Sequence, residues 1–199
     1  NDKHVIYVWL DALTNYLSAL NFPENKDKLF KSFWPASLHV IGKDILRFHT
    51  IYWPAFLLAA DIEPPQRVFS HGWILSGDEK MSKSKGNILD PLEIVDTYGV
   101  DELRYYLMKE VSHGSDGNIS LENLENCINS DLANNYGNLC QRVFSFIKNS
   151  CDNKVNKSKN SSKADEKLIE ETKKLTKNLR HYMDKQNLNN YIKAVIDIS

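Results

Sequence analysis

From Gly77 to Asn87 the chain reads Gly-Asp-Glu-Lys-Met-Ser-Lys-Ser-Lys-Gly-Asn. Lys80, Lys83 and Lys85, separated by hydroxyls and bounded by glycines, predict a hydrogen-bond-rich cationic loop that cannot bury itself and that wants an anion. Glycines at 77 and 86 give backbone freedom, Ser82 and Ser84 offer hydroxyl donors, and the ammonium groups are point charges suited to polyphosphate. The spacing does not fit the phosphate-cradling pattern GxxxxGK[ST]. Taken alone, a lysine cluster of this length reads as a solvated surface. Met81, and the strand-like run Arg67 to His71 just upstream, argue for more than that.

Before this stretch the pattern alternates. The continuous apolar run Val5 to Leu10 predicts a strand buried on both faces and closed by Asp11. Leu13, Tyr16, Leu17 and Leu20 then mark a helix that ends at Asn21 to Asn25. Ser37 to Gly42 predicts a second strand, and Asp44 the cap of a helix carrying Ile45, Phe48, His49, Tyr52 and Phe56, which Pro54 should kink or split. Arg67 to His71 predicts a third strand leading into the lysine stretch. This order implies an α/β fold with a parallel sheet, whose ligands gather at the carboxyl ends of its strands. Trp9, Asp11, Gly42, Asp44 and His71 are expected at those ends.

After Asn87 the pattern is helical. Asp90, Pro91, Glu93 and Gly99 bracket one helix, Asp101 is read as the cap of another, and 112–119 as a loop or short extended connector. Ser120 caps a helix with Leu121, Leu124 and Ile128, and Leu132 to Ile147 continue at near-heptad spacing. The Lys, Asn and Ser run from Asp152 to Asp165 reads as a loop, followed by two more apolar stripes. An incomplete all-α bundle is expected.

The formal charge of −1 over 199 residues excludes a generally basic nucleic-acid coat, so any such contact must be local. Cys127, Cys140 and Cys151 have neither disulfide nor zinc-site spacing, which points to reduced thiols and a cytoplasmic setting. No apolar run is long enough to span a bilayer as a helix. Asn1 to His4 resembles no signal peptide, and both ends are read as cut from a longer chain.

Lys80-Met81-Ser82-Lys83-Ser84 resembles the KMSKS signature of class I aminoacyl-tRNA synthetases. Tyr7 to Tyr16, His39 to His49, Trp53-Pro54-Ala55 and Asp131 to Leu139 are similar to the methionyl branch of that family, in its order and spacing. The resemblance implies three regions. Residues 1–88 would form the second half of a Rossmann-like catalytic domain, 89–119 a stem-contact connector, and 120–199 the start of an anticodon-binding bundle. The HIGH signature and a zinc-bearing insertion would lie upstream, leaving no metal site here. His39-Val40-Ile41-Gly42 is HIGH-like only superficially, because Lys43 follows it.

The implied reaction joins methionine to tRNA(Met) through methionyl-adenylate, using ATP with Mg2+. Lys83, assisted by Lys80, would stabilise the leaving pyrophosphate. Gly42, Asp44, His71, Met81 and Ser82 would contact ATP, with Asp44 accepting from the ribose. Trp9, Ala12, Leu13, Tyr16, Ile45, His49 and Trp53 would form the methionine pocket, Leu13 standing where one branch of the family has proline. Between Arg142 and Lys185 twelve basic residues face six acidic ones, a candidate tRNA surface. Two other readings stand beside this one: a sister class I synthetase for another apolar amino acid, and a non-catalytic tRNA-binding fragment. Purified alone, the 199-residue chain is expected to be inactive in methionine-dependent ATP–pyrophosphate exchange, and measurable exchange would refute that.

Overall fold

The computed structural model describes residues 8–24, 28–77, 79–81, 89–112, 114–155 and 161–199. The chain divides into two compact units, one up to Trp73 and one from Ile74.

The first unit comprises α1 (Val8–Ser18), α2 (Leu29–Phe33), β1 (His39–Gly42), α3 (Trp53–Ala59) and β2 (Val68–His71). β1 and β2 pair in parallel, in register from His39 with Val68 to Gly42 with His71. Leu13, Leu17, Trp34, Trp53 and Leu57 form the core. Val8 to Leu10, expected in a strand, instead open α1, while Val5 to Tyr7 lie outside the described residues. An apolar run satisfies both periods, and here the burial of Leu13 and Leu17 four residues apart selects the helical one. Trp9 and Asp11 are therefore helix residues rather than strand-end residues.

Between β1 and α3 the backbone changes pitch twice. Lys43–Ile45 form a 3-10 turn and Phe48–Tyr52 a π-turn, in which the Trp53 N–H reaches the Phe48 carbonyl five residues back. Pro54 has no N–H and its ring would press on the carbonyl four residues earlier; the widened turn just upstream absorbs both demands. The expected split at Pro54 thus occurs, as a π-turn running into α3. Asp44 does not cap a helix: it lies inside the 3-10 turn, whose capping position is Gly42, and makes no capping bond.

The second unit comprises β3 (Ile74–Ser76), β4 (Glu79–Lys80), α4 (Pro91–Tyr98), α5 (Val100–Glu110), β5 (Gly117–Asn118), α6 (Leu121–Cys127), α7 (Asn138–Ser150), α8 (Lys163–Asp184) and α9 (Leu188–Ile198). A ten-residue π-helical segment, Ile128–Gly137, joins α6 to α7. β3 is the middle strand of three, antiparallel to β4 and parallel to β5. The lysine stretch thus opens as a hairpin, with Leu75 opposite Lys80 and Gly77 at φ +63° in its turn.

Asp90 accepts the Leu92 N–H at 2.8 Å, Pro91 follows it, and Gly99 at φ +106° ends α4, as its sequence predicts. Ser120 Oγ likewise accepts the Asn123 N–H at 3.1 Å. Asp101 is not a cap. α5 starts at Val100, directly after Gly99, and places Asp101 in its first turn, where a carboxylate still favours the positive helix end. α8 begins at Lys163, inside the expected loop, because Ser162 and Asp165 close a reciprocal capping box. Ile94, Leu103, Tyr106, Ile119, Leu124 and Cys127 form the core, and Met81 and Leu89 pack against it.

Leu124 is 1% exposed and Leu168 63% exposed. In urea unfolding, Leu124→Ala should cost about 3 kcal/mol, Ser120→Ala about 1 kcal/mol, and Leu168→Ala less than about 0.5 kcal/mol. Equal costs at Leu124 and Leu168 would overturn this placement of the core.

Candidate active-site residues

α1 and the π-turn bring four of the expected pocket residues together. The Trp9 ring stacks on Phe48 with centroids 3.9 Å apart and planes 8° from parallel, and it meets His49 edge-on at 6.4 Å. His49 is buried, and its Nδ1 lies 3.0 Å from the Ile45 carbonyl, to which it donates. That tautomer leaves Nε2 as an acceptor, and the Tyr16 hydroxyl donates to it at 3.0 Å. Trp53 lies 6.0 Å from the Tyr16 ring and is buried, with no partner found for its Nε1. Ile45 enters this chain through its carbonyl and is half-buried. Leu13 belongs to the core behind these rings, and Ala12 is exposed on α1.

Three members of the cluster escaped the sequence reading. Phe48 is the stacking partner of Trp9; His39 stacks on Tyr16 at 4.4 Å; and Trp34 lies 6.2 Å from both His39 and Trp53. His39 is 6% exposed and its Nδ1 has no partner. The inward face of β1, with Ile41 and His39 both buried, was the available signal.

At the paired ends of β1 and β2, Gly42 stands opposite His71. A Cβ at Gly42 would come within 2.7 Å of Asp44 Oδ1 and 3.8 Å of His71 Cε1, so the carboxylate lies close over a bare backbone. His71 Nδ1 donates to the Gly72 carbonyl at 2.9 Å, which frees Nε2 as an acceptor. Gly42, Asp44 and His71 thus meet, and a carboxylate beside an open strand end can take the hydroxyls of a sugar.

The lysine signature belongs to the second unit. Lys80 is exposed on β4, and Met81 packs against that unit's core. Ser82 and Lys83 lie outside the described residues. The same unit carries a groove of about 530 Å³ along the π-helical segment and α7, lined by Asn134, Asn135, Asn138, Leu139, Arg142 and Phe146 among others. Amides and a guanidinium in one groove with the Phe146 ring are the kinds of groups that read base edges and stack on bases. Among the described residues no three His, Cys, Asp or Glu side chains are grouped to hold a metal ion, and no helix is long and apolar enough to cross a membrane.

Burial, and secondarily the neighbouring His49, pushes the His39 pKa below its ordinary value of 6.5. Unfolded chains then bind the proton more readily than folded ones, so stability falls as pH drops below about 6.5. Unfolding free energy should therefore decline between about pH 7 and pH 5, and His39→Leu should flatten that decline. Tyr16→Phe, which strands the His49 acceptor, should cost about 1 to 2 kcal/mol in the same assay. An unchanged pH slope in His39→Leu would overturn the assignment.

A family model described as tRNA synthetases class I (M) matches residues 1–144. The chain is 47% identical over 198 residues to the methionine–tRNA ligase of Brucella suis, covering all of this chain and 38% of that protein. It is 49% identical over 196 residues to that of Caldanaerobacter subterraneus, covering 98% of this chain and 30% of that one. Among solved structures, Mycobacterium tuberculosis methionyl-tRNA synthetase in complex with methionyl-adenylate superposes with a TM-score of 0.92 at 46% identity, over 98% of this chain and 38% of the other. The chain thus spans little more than a third of these relatives' length. With the family model matching well over half of its residues, the chain belongs to the class I (M) family of tRNA synthetases.

Proposed function

We propose that this chain supplies part of the catalytic domain and the beginning of the tRNA-binding bundle of a methionine–tRNA ligase. The observation that carries the reading is the hydrogen-bonded run from Tyr16 through His49 to the Ile45 carbonyl, walled by Trp9, Phe48 and Trp53. An aromatic wall suits a flexible, polarisable thioether, and the Tyr16 hydroxyl, held by His49, keeps an acceptor lone pair for the substrate's ammonium group. Trp9, Ala12, Leu13, Tyr16, Ile45, His49 and Trp53 remain the assigned methionine residues, Leu13 acting from behind the rings. The similar chain from Mycobacterium tuberculosis, which holds methionyl-adenylate, supports the assignment.

In the proposed first step the methionine carboxylate attacks the α-phosphorus of ATP, a P–O bond forms, and the bond to the β-phosphate oxygen breaks to release pyrophosphate. Asp44 accepts from the ribose hydroxyls, Gly42 lets the nucleotide approach the backbone, and His71 offers Nε2 beside them. Lys83 and Lys80, with Met81 and Ser82 assigned as further ATP contacts and Mg2+ accompanying ATP, offset the charge that grows on the departing phosphates. In the second step a terminal ribose hydroxyl of tRNA(Met) takes the methionyl group and AMP leaves. Residues 89–119 are assigned to the acceptor stem side, and 120–199 to the anticodon side, where Asn134, Asn138 and Arg142 present suitable donors and acceptors. A cytoplasmic setting accords with this role.

The test is methionine-dependent ATP–pyrophosphate exchange by the full-length parent protein, with isoleucine, leucine and valine as competitors. Exchange with methionine alone, falling about 10²- to 10³-fold in Lys83→Ala, is expected. Exchange with another amino acid would assign the chain to a sister synthetase, and no exchange would favour a binding module.

A further inference from the structure

Asp131 forms a buried-edge cluster that the function above does not use. Among the described residues it joins two elements by an ion pair: Lys109 Nζ lies 2.7 Å from Asp131 Oδ2 and 3.8 Å from Glu110 Oε1, whereas the exposed pairs on α8 join residues four apart on one helix. The Tyr105 hydroxyl donates to the same oxygen at 2.8 Å, and Ser130 Oγ donates to Oδ1 at 2.9 Å. Burial raises the Asp131 pKa, but the bonds from Lys109, Tyr105 and Ser130 outweigh it and hold the carboxyl below its ordinary range. Burial, and then the hydrogen bond to Asp131, drive the Tyr105 phenol far upward.

The donors come from a fixed element. Between Tyr105 and Lys109 on α5, Tyr106 is 2% exposed and its hydroxyl meets both the Ser120 N–H, at 3.1 Å, and the Ser120 carbonyl, at 3.3 Å. The acceptor stands near the start of the π-helical segment. At the other end of that segment, Asn134 and Asn135 line the groove, and Asn135 Nδ2 donates to the Ile196 carbonyl at 3.4 Å. Gly137 closes it: a Cβ there would lie 2.6 Å from the Leu132 carbonyl oxygen, so only a bare backbone suits this pitch.

We propose that Asp131, clamped by Lys109 and Tyr105, is a positioning residue that fixes the phase of the π-helical segment and so sets the direction of the Asn134, Asn138 and Arg142 side chains toward RNA. The inference rests on the tRNA-binding reading of this groove. Returning the segment to 3.6 residues per turn would rotate every following residue about the axis by a sizeable part of a turn. Spaced four apart, Asn134, Asn138 and Arg142 would still share one face, but that face would turn away from its present direction relative to α5 and α9. Asp131 itself touches no RNA; it acts through the backbone.

The test uses the full-length parent protein and two probes, an RNA hairpin bearing the CAU anticodon and intact tRNA. Asp131→Asn and Lys109→Met should each weaken hairpin binding and raise the KM for tRNA in charging by about tenfold. Methionine-dependent exchange should stay at the unsubstituted rate, and the double variant should lose no more than Asp131→Asn alone. Gly137→Ala, acting at the other end of the segment, should produce the same split. Tight hairpin binding by folded variants, or an equal fall in exchange and charging, would overturn the proposal. If Asp131→Asn does not fold, Lys109→Met decides the matter by the same readouts. Failure of the unsubstituted protein to prefer the CAU hairpin would overturn the RNA reading of the groove, and the clamp with it.

Discussion

Pro54 cannot give a hydrogen bond, and the arrangement of the first unit follows from how the backbone copes. A regular helix through residues 43–59 would strand the Thr50 carbonyl against the proline ring. The chain instead takes one wide turn, with Trp53 bonded to Phe48, and resumes α-helix at Trp53. Widening the turn carries Phe48 outward to stack on Trp9 while His49 stays buried with its Nδ1 on the Ile45 carbonyl. The histidine is thereby held in one tautomer, and Tyr16 can donate to it. Removing the proline would free the backbone to tighten, and the aromatic wall would lose the irregularity that aligns it.

The second unit shows a related device without a proline. Its π-helical segment is held at one end by charge and hydrogen bonding at Asp131, and at the other by Gly137, where any side chain would meet the Leu132 carbonyl. In both units the irregular turns coincide with the side chains assigned to ligands, as is common for π-turns. Regular helices would have been more stable locally. Departures from 3.6 residues per turn redirect side chains without inserting a loop.

Sequence reading recovered features with a local cause. The caps at Asp90 and Ser120, the stop at Gly99 and strands β1 and β2 each rest on a few adjacent residues. It failed where two periods fit equally, as in Val8 to Leu10, and where a neighbour pre-empted a cap, as Gly99 did for Asp101. Trp9, Tyr16, His49 and Trp53 were grouped by family resemblance rather than by periodicity, and the structure brings their rings together. Phe48, Trp34 and His39 were not, because each looks like ordinary core until its partners are known. The clamp at Asp131 left one faint trace, a charged residue on a stripe of apolar ones. Nothing in the sequence pointed to its partners, 22 and 26 residues upstream on another helix.

Unlike the clamped π-helical segment, α8 spans 22 residues without one buried side chain, and its start is fixed by the Ser162 and Asp165 box. Its contacts are chiefly with α9, which also packs on α5. Detaching α8 would expose its partly buried Leu175, Leu179 and Tyr182 and the facing side of α9 but none of the buried core around Leu124, so that opening costs less than unfolding the core. The unit is therefore graded: amide protons of α8 would exchange through local opening, while those of α6 would wait for the unfolding of the whole unit.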